Sequence, residues 1–102
     1  EDVWIDNLAL VKIGNNVCIS QGVYLCTGNH NYKKDLFNLI LEKIIIEDDC
    51  WIAAKSIVAP GSILKRGSVV CLGSVVSGIL RKDGIYRGNP AKLLRSKDDK
   101  LN

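Results

Sequence analysis

Several residue types that mark particular classes of protein are scarce or missing in this chain. None of its 102 residues is methionine, and only one is histidine. The four cysteines form no Cys-x-x-Cys pair, and with a lone histidine they do not match any usual zinc-ligand spacing. We therefore expect no metal, and we expect Cys18, Cys26, Cys50 and Cys71 to be free thiols in a cytoplasmic protein.

Long apolar runs are also missing. No apolar run approaches eighteen residues, and the chain opens with Glu1-Asp2 instead of a basic and then apolar leader. The sequence therefore predicts no membrane insertion and no secretory signal. Because an initiator methionine is not expected to be removed before a residue as large as Glu1, we expect the natural protein to begin upstream of this sequence.

Positive charge is concentrated towards the C-terminal end. The formal net charge is +3, and residues 81–100 hold seven Lys or Arg against three Asp. Surfaces that bind nucleic acid interleave such charges with aromatic side chains that stack on bases, and this segment has too few of them. The surplus favours an anionic small molecule as the partner and argues against nucleic acid.

An aliphatic residue returns every six positions through the middle of the chain. The aliphatic positions are Ile46, Ile52, Val58, Leu64, Val70 and Val76. A small residue stands four places after each of the first five, at Cys50, Ser56, Ser62, Ser68 and Ser74. A period of six fits neither a 3.6-residue helix nor a strand that ends in a hairpin, so it predicts one unit that coils and stacks on itself. Six residues at roughly 3.3 Å give a flat side of about 20 Å, and three sides per turn give a triangular prism with an aliphatic interior.

The same period organises the earlier part of the chain. It runs through Ile13, Ile19 and Leu25, stops, and resumes at Ile46 in the same phase. Residues 31–45 are therefore predicted to be an insertion thrown out of the coil, and a loop of this length in so regular a scaffold is usually functional. An earlier coil holds Ile5 and contains a short irregularity.

The period is predicted to stop after Arg81. We expect residues 1–81 to form the coils and residues 82–102 to form a tail. Within the tail, residues 82–90 are predicted to be a loop, and Ala91–Leu101 a short basic helix that packs back on the prism.

The lone histidine falls at the sixth place of a hexad. If the aliphatic and small positions point inward, the sixth place points outward, and Cys18, Tyr24 and His30 occupy it. His30 would then project from a corner immediately before the insertion. An imidazole that titrates at about pH 6.5 suits a general base, although a solvated surface histidine is the alternative. Cys26 is second in its hexad and faces away, which disfavours an acyl-enzyme on that thiol.

Three local motifs join the hexads in a recognisable order. They are Thr27-Gly28-Asn29-His30 before the insertion, CWIAAKSIVAPGS over residues 50–62, and GNPAK over residues 88–92. Together they resemble the hexapeptide-repeat acyltransferases, most of all the colanic acid biosynthesis acetyltransferases and, more distantly, the galactoside and maltose O-acetyltransferases. The resemblance implies a left-handed parallel β-helix, acetyl-CoA as the acyl donor, and a homotrimer with each active site between two prisms.

The resemblance also implies roles for particular residues. His30 would take the proton from an acceptor hydroxyl as that oxygen attacks the thioester of acetyl-CoA, without an acyl-enzyme. The cofactor would lie along a wall that begins at Trp51, with backbone amides near Ala53 and Ala54 as oxyanion donors. The remaining implied contacts are Leu72 and Ser77 to pantetheine, Lys92 and Arg95 to phosphates, and Asp6 and Asn7 to the acceptor sugar.

The sixth hexad places after the insertion are all apolar. They are Trp51, Ile57, Ile63, Val69 and Val75. An isolated prism would expose this column to water, so we expect neighbouring subunits to cover part of it.

Several functions remain open at this point. The first is an O-acetyltransferase acting on a sugar hydroxyl, and an N-acetyltransferase acting on an amino sugar is a close rival that would use the same base and cofactor wall. A prism of the γ-carbonic-anhydrase type is disfavoured because it needs three histidines on a metal. A truncated, non-catalytic trimeric module is the remaining alternative.

Overall fold

The computed structural model describes residues 3–6, 9–30 and 39–98, and for residues 4, 6, 28–30 and 39–41 it describes the backbone. All regular elements in these ranges are β-strands. The strands are β1 (Trp4–Asp6), β2 (Val11–Ile13), β3 (Cys18–Ile19), β4 (Tyr24–Cys26), β5 (Gly28–His30), β6 (Leu39–Leu41), β7 (Ile44–Ile46), β8 (Trp51–Ile52), β9 (Ile57–Val58), β10 (Ile63–Leu64), β11 (Val69–Val70), β12 (Val75–Val76), β13 (Ile79–Leu80), β14 (Gly84–Gly88) and β15 (Ala91–Ser96). Throughout the described ranges, no helix is long and apolar enough to cross a membrane.

Short strands from successive turns stack into three parallel faces. Face A consists of β1, β4, β9 and β12, and face B of β2, β7, β10 and β13. Face C consists of β3, β8, β11 and β14, with β15 added antiparallel at its edge. The chain visits the faces in the order B, C, A on each turn, which makes a coil with three flat sides.

The register confirms the hexad interpretation. Ile13 pairs with Ile46 and Ile46 with Leu64 on face B, while Leu25 pairs with Val58 on face A. The interruption between Leu25 and Ile46 therefore leaves the phase unchanged. From Leu25 onwards the inward aliphatics are at most 2% exposed, and burying each such side chain stabilises the fold by roughly 1.5–3 kcal/mol.

The small residues that follow the inward aliphatics are buried and hydrogen-bonded. Ser56 Oγ donates to the Cys71 carbonyl at 3.0 Å, and Ser62 Oγ donates to the Ala59 carbonyl at 2.6 Å. The Cys50 thiol lies 3.3 Å from Ser68 Oγ. Each polar group of this kind would be costly to bury without a partner, so the bonds explain why serine is tolerated inside the prism.

Most corners are turned by a residue with positive φ three places after an inward aliphatic. On the corner between faces B and C these residues are Asn16, Asp49, Gly67 and Asp83. On the corner between faces C and A they are Gly22, Lys55 and Gly73. We call these the B/C corner and the C/A corner, and the third, where face A leads to face B, the A/B corner.

The excursion from the coil begins and ends earlier than predicted. β5 pairs antiparallel with β6 instead of stacking on face B, and His30 lies opposite Leu39 in this separate two-stranded sheet. The Glu42 N–H donates to the Thr27 carbonyl at 3.0 Å, which closes the base of the hairpin. The coil resumes at β7, where Ile44 is fully buried. Residues 44 and 45, expected in the insertion, thus belong to the prism, and 28–30 belong to the hairpin.

The last turn is two residues shorter than the period predicts. Leu64 pairs with Leu80, sixteen positions on, instead of with the residue eighteen positions on. The hexad step then continues from Leu80 to Tyr86, which pairs with Val70 on face C and packs against the core. The prediction that the period stops after Arg81 is therefore wrong, as is the loop over residues 82–90, because Gly84–Gly88 is strand β14.

The helix predicted over Ala91–Leu101 is also wrong for the residues described. Ala91–Ser96 is strand β15, which forms a hairpin with β14. A helix of eleven residues is marginal by itself, whereas β15 gains a ladder of backbone hydrogen bonds from the free edge of face C. Residues 99–102 lie outside the described part of the chain.

Candidate functional site

The C/A corner brings together three of the residues implied to bind the cofactor. Ala53 and Ala54 follow β8, and Leu72 follows β11 one turn later. The Gly73 N–H donates to the Ala54 carbonyl at 2.9 Å, so the two turns stack directly. The Ala53 N–H is engaged by the Val70 carbonyl at 2.9 Å, which makes the Ala54 N–H the better candidate for an oxyanion donor.

Little side-chain volume lies over Ala53, Ala54 and Gly73 at this corner, whereas the Lys55 side chain lies beside Gly22 on the turn before. The alanine methyl groups are half-buried, and Leu72 is 70% exposed. A Cβ atom placed on Gly73 would find no atom within 4 Å. The corner therefore offers an open strip of backbone along which an extended, slender molecule can lie.

Trp51 borders this strip on face C. It lies opposite Cys18 and Val69 in the neighbouring strands, and 51% of its surface is exposed. Its indole N–H donates to Ser20 Oγ at 3.4 Å. This large exposed ring is consistent with a wall that a ligand covers.

The basic residues of the tail extend the strip. The turn between β14 and β15 stacks beyond Leu72, because the Gly88 N–H donates to Ser74 Oγ at 3.1 Å. Lys92 lies at the start of β15 opposite Arg87, and Arg95 lies opposite Ile85. Ala54, Leu72 and Lys92 therefore follow one another along the same corner. Arg87 was missed by the sequence analysis, and the uninterrupted step from Leu80 to Tyr86 was the signal that could have placed it on a strand.

His30 and Asp6 lie at a different part of the prism. His30 ends β5 on the hairpin that leaves the A/B corner, and Asp6 ends β1 on face A, paired with Cys26. Ser77 also lies at the A/B corner, next to Gly78, and is exposed. Asn7, implied to contact the acceptor, lies outside the described residues.

The predicted site residues thus form two groups on one chain. Trp51, Ala53, Ala54, Leu72, Lys92 and Arg95 lie along face C and the C/A corner, whereas His30, Asp6 and Ser77 lie at the A/B end of face A. One face separates the two corners, which for six residues amounts to roughly 20 Å. Among the side chains that the structure describes, no cluster of three from His, Cys, Asp or Glu could hold a metal.

No protein-family model matches the sequence. An Escherichia coli K12 protein with the provisional name colanic acid biosynthesis acetyltransferase WcaF is 37% identical over 97 residues, which are 95% of this chain and 53% of that protein. The chain therefore spans about half the length of the curated relatives that it matches.

Solved structures give the same assignment. A hexapeptide-repeat acetyltransferase from Vibrio cholerae, crystallised with acetyl-coenzyme A, is 32% identical, with a TM-score of 0.90 over 96% of this chain and 55% of that one. A galactoside acetyltransferase crystallised with coenzyme A is 24% identical, with a TM-score of 0.86 over 98% of this chain and 56% of that one, and shows the fold alone. The all-strand coil is thus a left-handed parallel β-helix, and the predicted resemblance is confirmed: in sequence and in fold, this chain is similar to the hexapeptide-repeat acetyltransferases.

Proposed function

We propose that the protein is an acetyl-CoA-dependent O-acetyltransferase that transfers acetyl to a hydroxyl of a saccharide or exopolysaccharide precursor in the cytoplasm. The observation that carries this proposal is the division of the site residues between two corners of the prism. Within one chain, face A separates the base at the A/B corner from the acyl-donor wall at the C/A corner. They can meet when the A/B corner of one subunit faces the C/A corner of the next.

The base in this reaction is His30. Its neutral imidazole accepts the proton of the acceptor hydroxyl while that oxygen attacks the thioester carbonyl carbon of acetyl-CoA. The tetrahedral oxyanion is stabilised by a backbone N–H, for which the Ala54 amide is the candidate. Collapse breaks the C–S bond, and the imidazolium returns the proton to the CoA sulfur. Holding both substrates in place can by itself lower the barrier by roughly 7 kcal/mol or more.

The acyl donor lies along the C/A corner. The methyl side chains of Ala53 and Ala54 and the open space at Gly73 let a pantetheine arm approach the backbone. Lys92 and Arg95 supply positive charge for the phosphates at the C-terminal end of this strip. Leu72 and Trp51 flank the arm, while Ser77 contacts it from the A/B corner of the adjoining subunit. The acceptor sugar lies near Asp6 and Asn7.

A homotrimer assembles these groups. Faces A and B both carry apolar side chains on their outward surfaces, including Ile57 at 39% exposure and Ile79 at 67%. Ile45 and Ile63 line a shallow cavity of about 300 Å³ on face B. A threefold arrangement buries such surfaces and repeats the same cleft three times.

Turnover measurements test the chemistry. Purified protein is mixed with acetyl-CoA and candidate acceptors, and released CoA is followed with a thiol reagent. We expect His30→Gln to lower turnover by about a hundredfold to ten-thousandfold without weakening acetyl-CoA binding. Cys26→Ser is the matched control and should retain turnover.

The choice of acceptor separates the alternatives. Turnover with sugars that offer only hydroxyl groups supports O-acetylation, whereas turnover confined to amino sugars would identify an N-acetyltransferase. Tight acetyl-CoA binding without turnover on any acceptor would contradict the proposal and favour a non-catalytic trimeric module.

Mixed trimers test the shared cleft. His30→Gln leaves the cofactor wall intact, and Ala54→Trp blocks the wall but leaves the base intact. If each cleft takes its base from one subunit and its wall from the next, random mixing of the two inactive variants should restore about a quarter of the wild-type activity. No recovery after subunit exchange would place both groups in one subunit and overturn this arrangement.

A further inference from the structure

Two cations face each other across the last hairpin. Arg87 on β14 is directly opposite Lys92 on β15, and both side chains are exposed. The neighbouring pair, Tyr86 and Leu93, lies on the other side of the sheet, where Tyr86 packs against the core. Because side chains alternate between the two sides of a strand, Arg87 and Lys92 project together from the outer surface of face C.

A bulge brings a third cation to the same surface. Lys92 and Arg95 are three residues apart, so in a regular strand their side chains would point to opposite sides. The register shifts between Ile85 and Tyr86, which leaves Leu94 as an extra residue and sets Arg95 opposite Ile85. Ile85 and Arg87 share one side of β14, so Arg95 joins Arg87 and Lys92. Bulges are known to redirect side chains in this way.

Within the described part of the chain, no acidic side chain forms an ion pair with this group of cations. The ion pairs among the described residues join Lys65 to Glu47 and Arg66 to Asp49, and neither involves the hairpin. Like charges placed directly opposite each other in a sheet destabilise it. The facing cations cost stability in the free protein, and the bulge adds a third positive charge to them. This arrangement indicates that a bound anion neutralises the charges.

We infer that Arg87 and Lys92 clamp the 3′-phosphate of CoA, with Arg87 as a specificity-determining residue. The inference rests on the proposed function, which places the cofactor along the adjoining corner. A phosphomonoester carries close to two negative charges at neutral pH, whereas each phosphate of the diphosphate bridge carries one. Two facing cations therefore match the 3′-phosphate, and Arg95 remains for the diphosphate.

Binding measurements on paired ligands test this assignment. Affinities for CoA and for dephospho-CoA, which lacks the 3′-phosphate, are compared by calorimetry at one salt concentration. We expect the wild type to prefer CoA by about tenfold, since a charge-assisted contact of this kind is lost with dephospho-CoA. Arg87→Gln should remove most of this preference while leaving dephospho-CoA affinity unchanged, and Arg87→Lys should restore part of it.

Arg81→Gln is the matched control. Arg81 is exposed at the B/C corner before β14, and the substitution removes the same charge. It should leave the preference for CoA intact. Equal weakening of both ligands by Arg87→Gln, or no change in either, would overturn the assignment.

Thermal melting of the free protein gives a readout that a structural role would not produce. Removing one of two facing cations should leave the melting temperature of Arg87→Gln equal to or above that of the wild type, although its affinity for CoA falls. A clear drop in melting temperature would show that Arg87 supports the hairpin, and would count against the inference.

Adenosine 3′,5′-bisphosphate separates failure of this inference from failure of the proposed function. It carries the phosphomonoester but no thioester arm. Binding that depends on Arg87, in a protein that transfers acetyl to no acceptor, would sustain the phosphate clamp and reject the transferase. If the protein binds neither the bisphosphate nor CoA, the phosphate clamp is rejected.

Discussion

The B/C and C/A corners are built by the same turn and carry different side chains. At the B/C corner, Glu47 lies 3.6 Å from Lys65 and accepts the Arg66 N–H at 3.0 Å, while Asp49 lies 3.4 Å from Arg66. Asp48 accepts the Asn15 N–H at 2.7 Å from the turn before. At the C/A corner the corresponding turns hold Ala53, Ala54, Leu72 and Gly73, which present backbone and open space.

The difference separates a corner that holds the coils together from one that leaves room for a ligand. Both satisfy the same backbone geometry, since each is turned by a residue with positive φ. The B/C corner fills its outer surface with charges that pair between successive turns. A shallow cavity of about 300 Å³ there is lined in part by Glu47, Asp48 and Arg66. In the ranges that the structure describes, the C/A corner has no such ion pair, and the hairpin at its end carries three cations that form none. A ligand is therefore expected at the second corner.

The largest effect is expected from a methyl group added at the B/C corner. Gly67 has φ +75°, and a Cβ atom there would collide with the Asp83 carboxylate. Gly67→Ala should lower the free energy of unfolding by about 2–3 kcal/mol, because the left-handed conformation is strained for alanine and the contact adds to it. Chemical denaturation at fixed protein concentration measures the loss.

A double variant isolates the crowding contribution. Asp83 also has positive φ, at 56°, so glycine is tolerated there. Gly67→Ala combined with Asp83→Gly should recover part of the stability lost by Gly67→Ala alone. If the two substitutions lower the free energy of unfolding additively, crowding against Asp83 does not distinguish the B/C corner from the C/A corner.

The same substitution at the C/A corner should cost less stability and more affinity. Gly73 has φ +67° with open space around its Cβ position, so Gly73→Ala should cost about 1 kcal/mol from backbone strain alone. Its methyl group would, however, occupy the strip proposed for pantetheine, and we expect acetyl-CoA affinity to fall by about tenfold, or 1.4 kcal/mol. Gly67→Ala should leave that affinity unchanged. Equal affinity losses at both positions would remove the proposed distinction between the corners.

The repeat made most of the fold predictable from the sequence. Each inward aliphatic repeats at a fixed step, so Ile13, Ile46 and Leu64 could be aligned without coordinates, and the register confirms them. From Ile13 to Leu80, the third place after every inward hexad aliphatic except Val76 is Asn, Asp, Gly or Lys, which include the residues that best tolerate positive φ. Local composition and period therefore agree in these coils apart from the shortened turn after Val76.

The errors arose where pairing with a distant strand outweighed local pattern. The shortened step from Val76 to Leu80 carries no local mark, and only stacking on Leu64 reveals it. β15 was predicted as a helix after the hexad period was taken to stop at Arg81. The free edge of face C instead pairs with this segment as a bulged strand.

The sequence predicted members of the candidate site, which stay predictions, but it did not predict how the fold arranges them. The motifs near His30, Trp51 and Lys92 were visible in the sequence, but hexad counting placed His30 on the prism wall. The structure places it in a separate hairpin. Arg87 could not be identified by motif, because its significance comes from facing Lys92 across two strands.

The smallest effect is expected from the charges that distinguish the B/C corner. The Arg66 and Asp49 side chains are 66% and 41% exposed, so solvent screens their attraction, and Arg66→Gln should lower the free energy of unfolding by less than about 1 kcal/mol. The deficit should shrink further at 1 M salt, where the screening length is about 3 Å. A double-mutant cycle with Asp49→Asn measures the interaction energy of the Arg66–Asp49 pair by itself. Asparagine tolerates positive φ at this position and can still accept the hydrogen bond from Asn16.

Acetyl-CoA affinity should not change in any of these variants. A loss of affinity comparable with that of Gly73→Ala would show that the charged corner also meets the ligand, and the two corners would then differ in side chains but not in role.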